Sequence, residues 1–230
     1  PGGVVGGDRL DIGVEVASGA HALISTPGAT RFYASDTDEG AQHVNVVVHD
    51  GARLEWLPLE TLVYPGSLAR NHLHMTLEGN AKMIGWDLVG LGLPQAGQAF
   101  THGRLHQCIE WPGRWLEQAR IDGADERLMD SPVGLAGRRC LGTLWLASGQ
   151  AMGEAQLQQL LASVREVLEA SGISGSEVDV AATSPNPHLL VVRGLSPLVE
   201  PLMTVFQKAW ATLRQQAWGI SGQPPRIWSV

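Results

Sequence analysis

Two cysteines, Cys108 and Cys140, are all that the 230 residues contain. Neither sits in a CxxC or Cys–His spacing. A zinc ribbon, a thioredoxin-type redox pair and a disulfide framework are thereby excluded as organising principles. The expectation is two reduced thiols in a cytoplasmic protein. Charge is also in short supply, at 17% Asp, Glu, Lys and Arg, with a formal net charge of −7. There is no basic stripe on which nucleic acid would lie, and no polybasic cluster of the kind that holds a protein to an anionic membrane. No apolar run nears the ~20 residues needed to cross a bilayer, and no signal peptide is visible. The phosphate loop GxxxxGK[ST], the GxSxG elbow and the HExxH helix are all missing. The glycine pairs at Gly2-Gly3 and Gly6-Gly7 lack the GxGxxG spacing of a dinucleotide fingerprint. Catalysis by any of these routes is not expected.

What is present is apolar: 44% hydrophobic residues, eight Trp and 28 Gly. That composition builds a packed core at this length and many tight turns. Low charge combined with eight Trp points to extra apolar surface of the kind a partner covers. Short runs with period-two alternation recur between turn residues every ~8–12 positions, the habit of a layered all-β structure. They are Asp11–Val16, His21–Ser25, His43–His49, Arg53–Leu57, Leu73–Leu77, Lys82–Leu88, Leu105–Trp111, Trp115–Ile121 and Leu141–Ala147. No repeat of fixed period is visible, so pattern alone gives no regular solenoid. The character changes near Gly149. Leu157, Leu160, Leu161, Val164, Val167 and Leu168 share one face of a helix over 154–170, with Gly172 as its stop. Strands follow over 177–183 and 188–193. A second helix is predicted after Ser196, with Ser196 as N-cap and Pro197 at the first position. Its apolar face is Leu198, Leu202, Val205, Phe206, Trp210 and Leu213. The tail from Gly222 to Trp228 reads as extended. Residues 1–150 are thus expected to form a β-rich body, and 151–230 an αββα portion packed on it. A further segment is expected before Pro1.

Several residues are candidates for chemistry. His72 and His74 share one face of a strand, and His102 and His106 lie four apart near another; imidazole is a good nickel or zinc ligand. Solvent-facing strand histidines are the commoner meaning of such spacings. The carboxylates Glu55, Glu60, Asp87 and Glu117 sit in apolar company. Period two places Glu55 opposite Trp56, which makes a solvated position natural. Asp8 follows Gly6-Gly7 and reads as a turn residue. Three readings stay open on these residues alone: a scaffold that works with partners, a hydrolase pairing carboxylates such as Glu55 and Asp87, and a metal-storage protein using the histidine pairs.

An ordered set of segments narrows the choice. It comprises Pro1-Gly2-Gly3-Val4-Val5-Gly6-Gly7-Asp8, Thr26-Pro27-Gly28-Ala29-Thr30-Arg31-Phe32-Tyr33, Leu54-Glu55-Trp56-Leu57-Pro58 with Glu60-Thr61, Gly85-Trp86-Asp87, Gly142-Thr143-Leu144 and Pro225-Arg226-Ile227-Trp228. In order and spacing these resemble the urease accessory protein UreD (UreH) family over essentially the whole chain. The resemblance implies a mainly β fold of extended, β-helix-like stacked sheets, with a small C-terminal αββα portion containing two helices. It implies a non-catalytic cytoplasmic maturation factor that docks with UreF and the GTPase UreG on the structural subunits of apo-urease. It further implies no tightly bound cofactor, with nickel in transit to the dinickel centre through an internal hydrated tunnel. The residues matching tunnel positions are Asp8, Thr30, Asp87 and Glu117. The sequence departs from the family at Leu59, where Gln is usual, and at Gly90, Leu93 and Gln98, where Cys, Arg and Glu are common. A less polar lining is expected around residues 90–98.

Overall fold

The computed structural model describes residues 3–170 and 178–229. Its strands are β1 (Arg9–Val16), β2 (His21–Ile24), β3 (Thr30–Phe32), β4 (Gly40–Val48), β5 (Arg53–Trp56), β6 (Thr61–Val63), β7 (Leu68–Leu77) and β8 (Lys82–Leu93). After these come β9 (Gln98–Ala99), β10 (Arg104–Trp111), β11 (Trp115–Asp122), α1 (Glu126–Asp130), β12 (Cys140–Ser148), α2 (Glu154–Ala170), β13 (Asp179–Asn186), β14 (Leu189–Ser196) and α3 (Val199–Trp218). The fold is mainly β, as the alternation indicates.

The N-terminal chain winds as a coil between two sheets. One sheet has the order β1-β4-β7-β10-β11, parallel except for β11. The other has the order β13-β14-β12-β8-β5-β2, with β3 and β6 stacked beside it. Each turn of the coil lays one long strand on the first sheet and short ones on the second: β1 then β2 and β3, β4 then β5 and β6, β7 then the long β8. Parallel register stacks equivalent residues. Ile12 pairs with Val44, Val44 with Leu73 and Leu73 with Ile109. Those steps are 32, 29 and 36 residues. Unequal turns explain why no fixed period is visible in the sequence.

Side-chain alternation then fills three apolar clusters. Val44, Val46, Leu73 and Met75 of the first sheet meet Leu54, Trp56, Met83 and Trp145 of the second. Phe32, Val63, Leu91, Phe100 and Leu105 form a second inter-sheet cluster. On the outer face of the larger sheet, α2 and α3 cover Ile84, Trp86, Leu88, Leu144, Leu146, Leu190 and Val192. The paired glycines Gly142 and Gly194 make a track for α3. A Cβ on Gly194 would lie 2.4 Å from Leu202 Cδ1. The C-terminal strands continue the same sheet through the β12–β14 and β12–β8 ladders. No helix among the described residues is long and apolar enough to cross a membrane.

Four local expectations change. Strand β3, strand β6 and helix α1 are too short to carry a periodic signal, and β7 and β8 run longer than their most apolar stretches. Helix α3 begins at Val199, with extended Leu198 in the cap position. Ser196 ends β14 instead, and its hydroxyl donates to the Leu198 carbonyl; the Pro197 ring lies outside the helix. Arg226–Ser229 form a 3-10 turn where an extended tail is expected. The predicted stop at Gly172 lies outside the described residues.

The fourth concerns Glu55. It does point away from Trp56, but that face is covered by α3, so the carboxylate is fully buried. Trp210 Nε1 donates to Oε2 at 2.7 Å and Arg214 Nε to Oε1 at 3.1 Å. His21 Nε2 lies 2.7 Å from Oε1. The tail closes over the same place. Trp228 stacks 5.0 Å from Trp86 and 5.2 Å from Trp210, and its Nε1 donates to Ser25 Oγ. The late tryptophans therefore pack the helices onto the sheet.

Removing one partner of a buried charge set typically costs about 3–5 kcal/mol. Glu55→Leu, which strands Arg214 and the Trp210 N–H, is expected to destabilise by that amount. Adding Arg214→Met is expected to recover part of the loss. Urea unfolding followed by circular dichroism measures both. Equal stability of Glu55→Leu and wild type would show that the set does not hold α3.

Candidate functional site

Inward-facing positions of a sandwich are normally apolar. In this one, a file of polar residues crosses the interior. On the first sheet Gln42, Asn71 and Gln107 stand in register on β4, β7 and β10, all three buried. On the second, Asp87, Thr143 and Arg193 stand in register on β8, β12 and β14. The two rows hydrogen-bond across the gap. Asn71 Nδ2 donates to Asp87 Oδ2 at 3.0 Å and Gln107 Nε2 to the same oxygen at 2.7 Å. Gln42 Nε2 donates to Asn71 Oδ1 at 3.2 Å, and Thr30 Oγ1 lies 3.5 Å from Gln42 Oε1. At the far end Thr143 Oγ1 donates to Glu117 Oε1 at 2.6 Å, and Arg193 holds Glu117 Oε2. The file separates the two inter-sheet apolar clusters.

Cavities open on both sides of Asp87. A small one of about 30 Å³ is lined by Thr26, Thr30, Gln42, Leu59 and Asn71 as well as Asp87. An open one of about 750 Å³ is lined by Asp87, Gln107, Glu117, Thr143 and Arg193. Asp87 keeps a little accessible surface where it lines them, yet its Oδ1 is buried with no hydrogen-bond partner, as is Gln107 Oε1. Burial pushes the Asp87 carboxyl up to about 6. The amide donors Gln107 and Asn71 oppose that rise, and the Glu117 charge adds to it. An unpartnered carboxyl oxygen and an unpartnered amide oxygen leave room for a proton, a water or a cation.

The structure thus brings Thr30, Asp87 and Glu117 into one file. Asp8 stands apart, on an exposed turn where Oδ2 accepts the Val5 N–H at 3.1 Å. Glu55 faces α3 while Asp87 faces inward, so these two carboxylates do not pair. Glu60 lines a separate cavity at the start of α3, with Gly90 and Leu93. The histidines lie on the outward face of the first sheet: His72 Nε2 sits 3.5 Å from Glu110 and His74 Nδ1 3.0 Å from Asn45 Oδ1. His106 pairs with Gln118, and His102 precedes β10. Among the described residues, no three His, Cys, Asp or Glu side chains converge as a metal site. The file offers separated oxygen donors rather than a closed cage. Gln42, Asn71, Gln107, Thr143 and Arg193 escaped the sequence reading. A signal existed for the first three: each is polar on the face its strand otherwise keeps apolar.

Comparison with known proteins finds one family. A family model described as UreD urease accessory protein matches residues 1–229. The urease accessory protein UreD of Polaromonas sp. (strain JS666) is 46% identical over 230 residues, covering 100% of this chain and 82% of that protein. UreD of Variovorax paradoxus (strain S110) is 46% identical with the same coverage. UreD of Leptothrix cholodnii is 45% identical over 228 residues, 99% of this chain and 81% of that protein.

The raised Asp87 carboxyl makes a prediction about stability. Its folded value of about 6 exceeds its ordinary value, so between roughly pH 4 and 6 the folded chain holds a proton that the unfolded chain has released. The stability it contributes therefore falls as pH rises through that window. Above it, the fold carries a buried charge. Asp87→Asn is expected to be more stable than wild type near neutral pH by on the order of 2 kcal/mol, and the difference should vanish toward pH 4. Urea midpoints of both proteins across that range check it; a pH-independent difference would contradict the assignment.

Proposed function

The chain belongs to the UreD urease accessory protein family, and from that premise we propose that it is a non-catalytic scaffold through which nickel passes during urease maturation. A role in urease maturation follows from the family. The finer reading is that the chain docks with UreF and UreG on the urease structural subunits. Nickel then moves along the inter-sheet file past Thr30, Asp87 and Glu117. Asp8 lies outside that file and has no part in the path proposed.

The observation that supports this reading is the file itself, with Asp87 at its centre and cavities on both sides. A bare divalent ion cannot cross an apolar interior, since the Born cost for even a monovalent ion is of order 20 kcal/mol. Water or oxygen donors must accompany it, and a carboxylate offsets its charge. The donors must also release the ion, as in any conducting pore. Amide and hydroxyl oxygens around one carboxylate meet both demands better than histidine or cysteine. Conversely, a scaffold that needed no internal path would be more stable with apolar residues at these positions.

Co-expression with urease and its other accessory proteins tests the path. Asp87→Ala is expected to lower nickel per active site several-fold. Asp87→Leu should be worse, because it removes the charge and also fills the space. Recovery of the complex with the partner proteins should be unchanged, since Asp87 is an interior residue. Normal nickel loading in the Leu variant would sink the path; lost loading with a broken complex would make Asp87 structural.

A further inference from the structure

The mouth of the larger cavity already holds a cation that belongs to the chain. Arg193 on β14 reaches across to Glu117 on β11, with Nε 3.0 Å and a terminal guanidinium nitrogen 2.5 Å from Glu117 Oε2. Thr143 occupies the other oxygen. The carboxylate that a travelling ion would meet first is therefore neutralised. Arg193 is 51% exposed at its side chain, so the pair is screened by solvent and little holds it closed. A second berth is at hand. Glu169 of α2 and Asp179 of β13 line the same mouth, Asp179 already holding Arg138 Nε through Oδ2 at 3.3 Å. Asp179 lies two residues from Ala181, the residue opposite Arg193, and shares its face of the sheet.

We propose that Arg193 is a displaceable plug at the mouth of the cation path: seated on Glu117 it excludes divalent ions, and swung toward Glu169 and Asp179 it admits them. This inference rests on the reading of the file as a path for nickel. A guanidinium stays charged at every physiological pH. It can therefore be moved from its seat but not switched off there. While it is seated, an approaching divalent ion meets a like charge and a carboxylate already paired. Once it is withdrawn, the ion meets Glu117 with one oxygen bare, and beyond it the unpartnered oxygens of Asp87 and Gln107. The device keeps the chain from filling with whatever divalent ion is abundant. It opens when an acidic group is presented over the mouth and competes for the guanidinium.

The test is Ni²⁺ binding by the purified full chain, measured by equilibrium dialysis at low salt. Arg193→Met is expected to bind Ni²⁺ at least about tenfold more tightly than wild type, because the competing charge is gone. Arg193→Gln, which keeps a hydrogen-bond donor without the charge, should show the same gain. Arg193→Lys should stay close to wild type. Adding Glu117→Gln to Arg193→Met should cancel the gain, which places the bound ion at Glu117. Circular dichroism should be unchanged throughout, as the side chain is half exposed. Unchanged or weaker binding in both neutral variants would overturn the plug. If Glu117→Gln alone still weakens binding in that case, the path survives without its gate. If Asp87→Leu also loads urease normally, the path itself has failed.

Discussion

A single buried carboxylate governs how the two ends of this chain come together. Glu55 sits early, on a short strand next to the edge of its sheet, while its partners Trp210 and Arg214 belong to the last helix. The latter two are four residues apart, hence on one face of α3. Two donors from one helix face, one on each Glu55 oxygen, fix the rotation of that helix about its axis, which apolar contact alone would leave loosely defined. The glycine track at Gly142 and Gly194 sets how close the helix comes; Glu55 sets which way it faces. Trp228 then closes over Trp86 and Trp210, so the tail depends on the same arrangement. The αββα segment is thereby joined to the coil both by a continuous sheet and by a charge set.

The inter-sheet file follows the opposite logic. Around Glu55 every oxygen has a partner. Around Asp87 one oxygen of the carboxyl and one of Gln107 have none. A sandwich of this size would bury a single apolar core, yet this one is divided in two by a row of amides and hydroxyls. That division costs stability, because an unpaired polar group in the interior is unfavourable. Rigid, fully satisfied polar sets suit a hinge or an anchor; incompletely satisfied ones suit a place where something is to be accommodated.

Much of this was legible from the residues. Alternation in stretches such as Leu73–Leu77 and the helical period of residues 154–170 translate directly into strands and a helix. The file was only half legible. Asp87 and Glu117 stand out as carboxylates in apolar company, whereas Asn71 and Gln42 look like ordinary surface amides unless the parity of their strands is followed. Arg193 could not have been found, because its meaning depends on β14 lying two strands from β8, a long-range pairing that no local pattern encodes. Glu55 misled for the same reason. Its parity is legible, but the residues that cover it, Trp210 and Arg214, lie 155 and 159 positions away in sequence.

The unequal turns of the coil carry a consequence for how the molecule comes into being. Each inward residue of the parallel strands β4, β7 and β10 rests on one that precedes it by 29 to 36 positions, as in the stack from Ile12 through Val44 and Leu73 to Ile109. No turn can be laid down by a short hairpin. Each requires a loop of roughly thirty residues to close, at an entropic cost of about 3 kcal/mol, before any side chain is rewarded. Parallel, non-local pairing of this kind is slow. The carboxylate of Glu55 waits longest of all, bare until residues 210 and 214 have been made. A newborn chain therefore spends its first moments with open strand edges and an unpaired charge. During that interval, rather than in the finished fold, the protein is most exposed to aggregation.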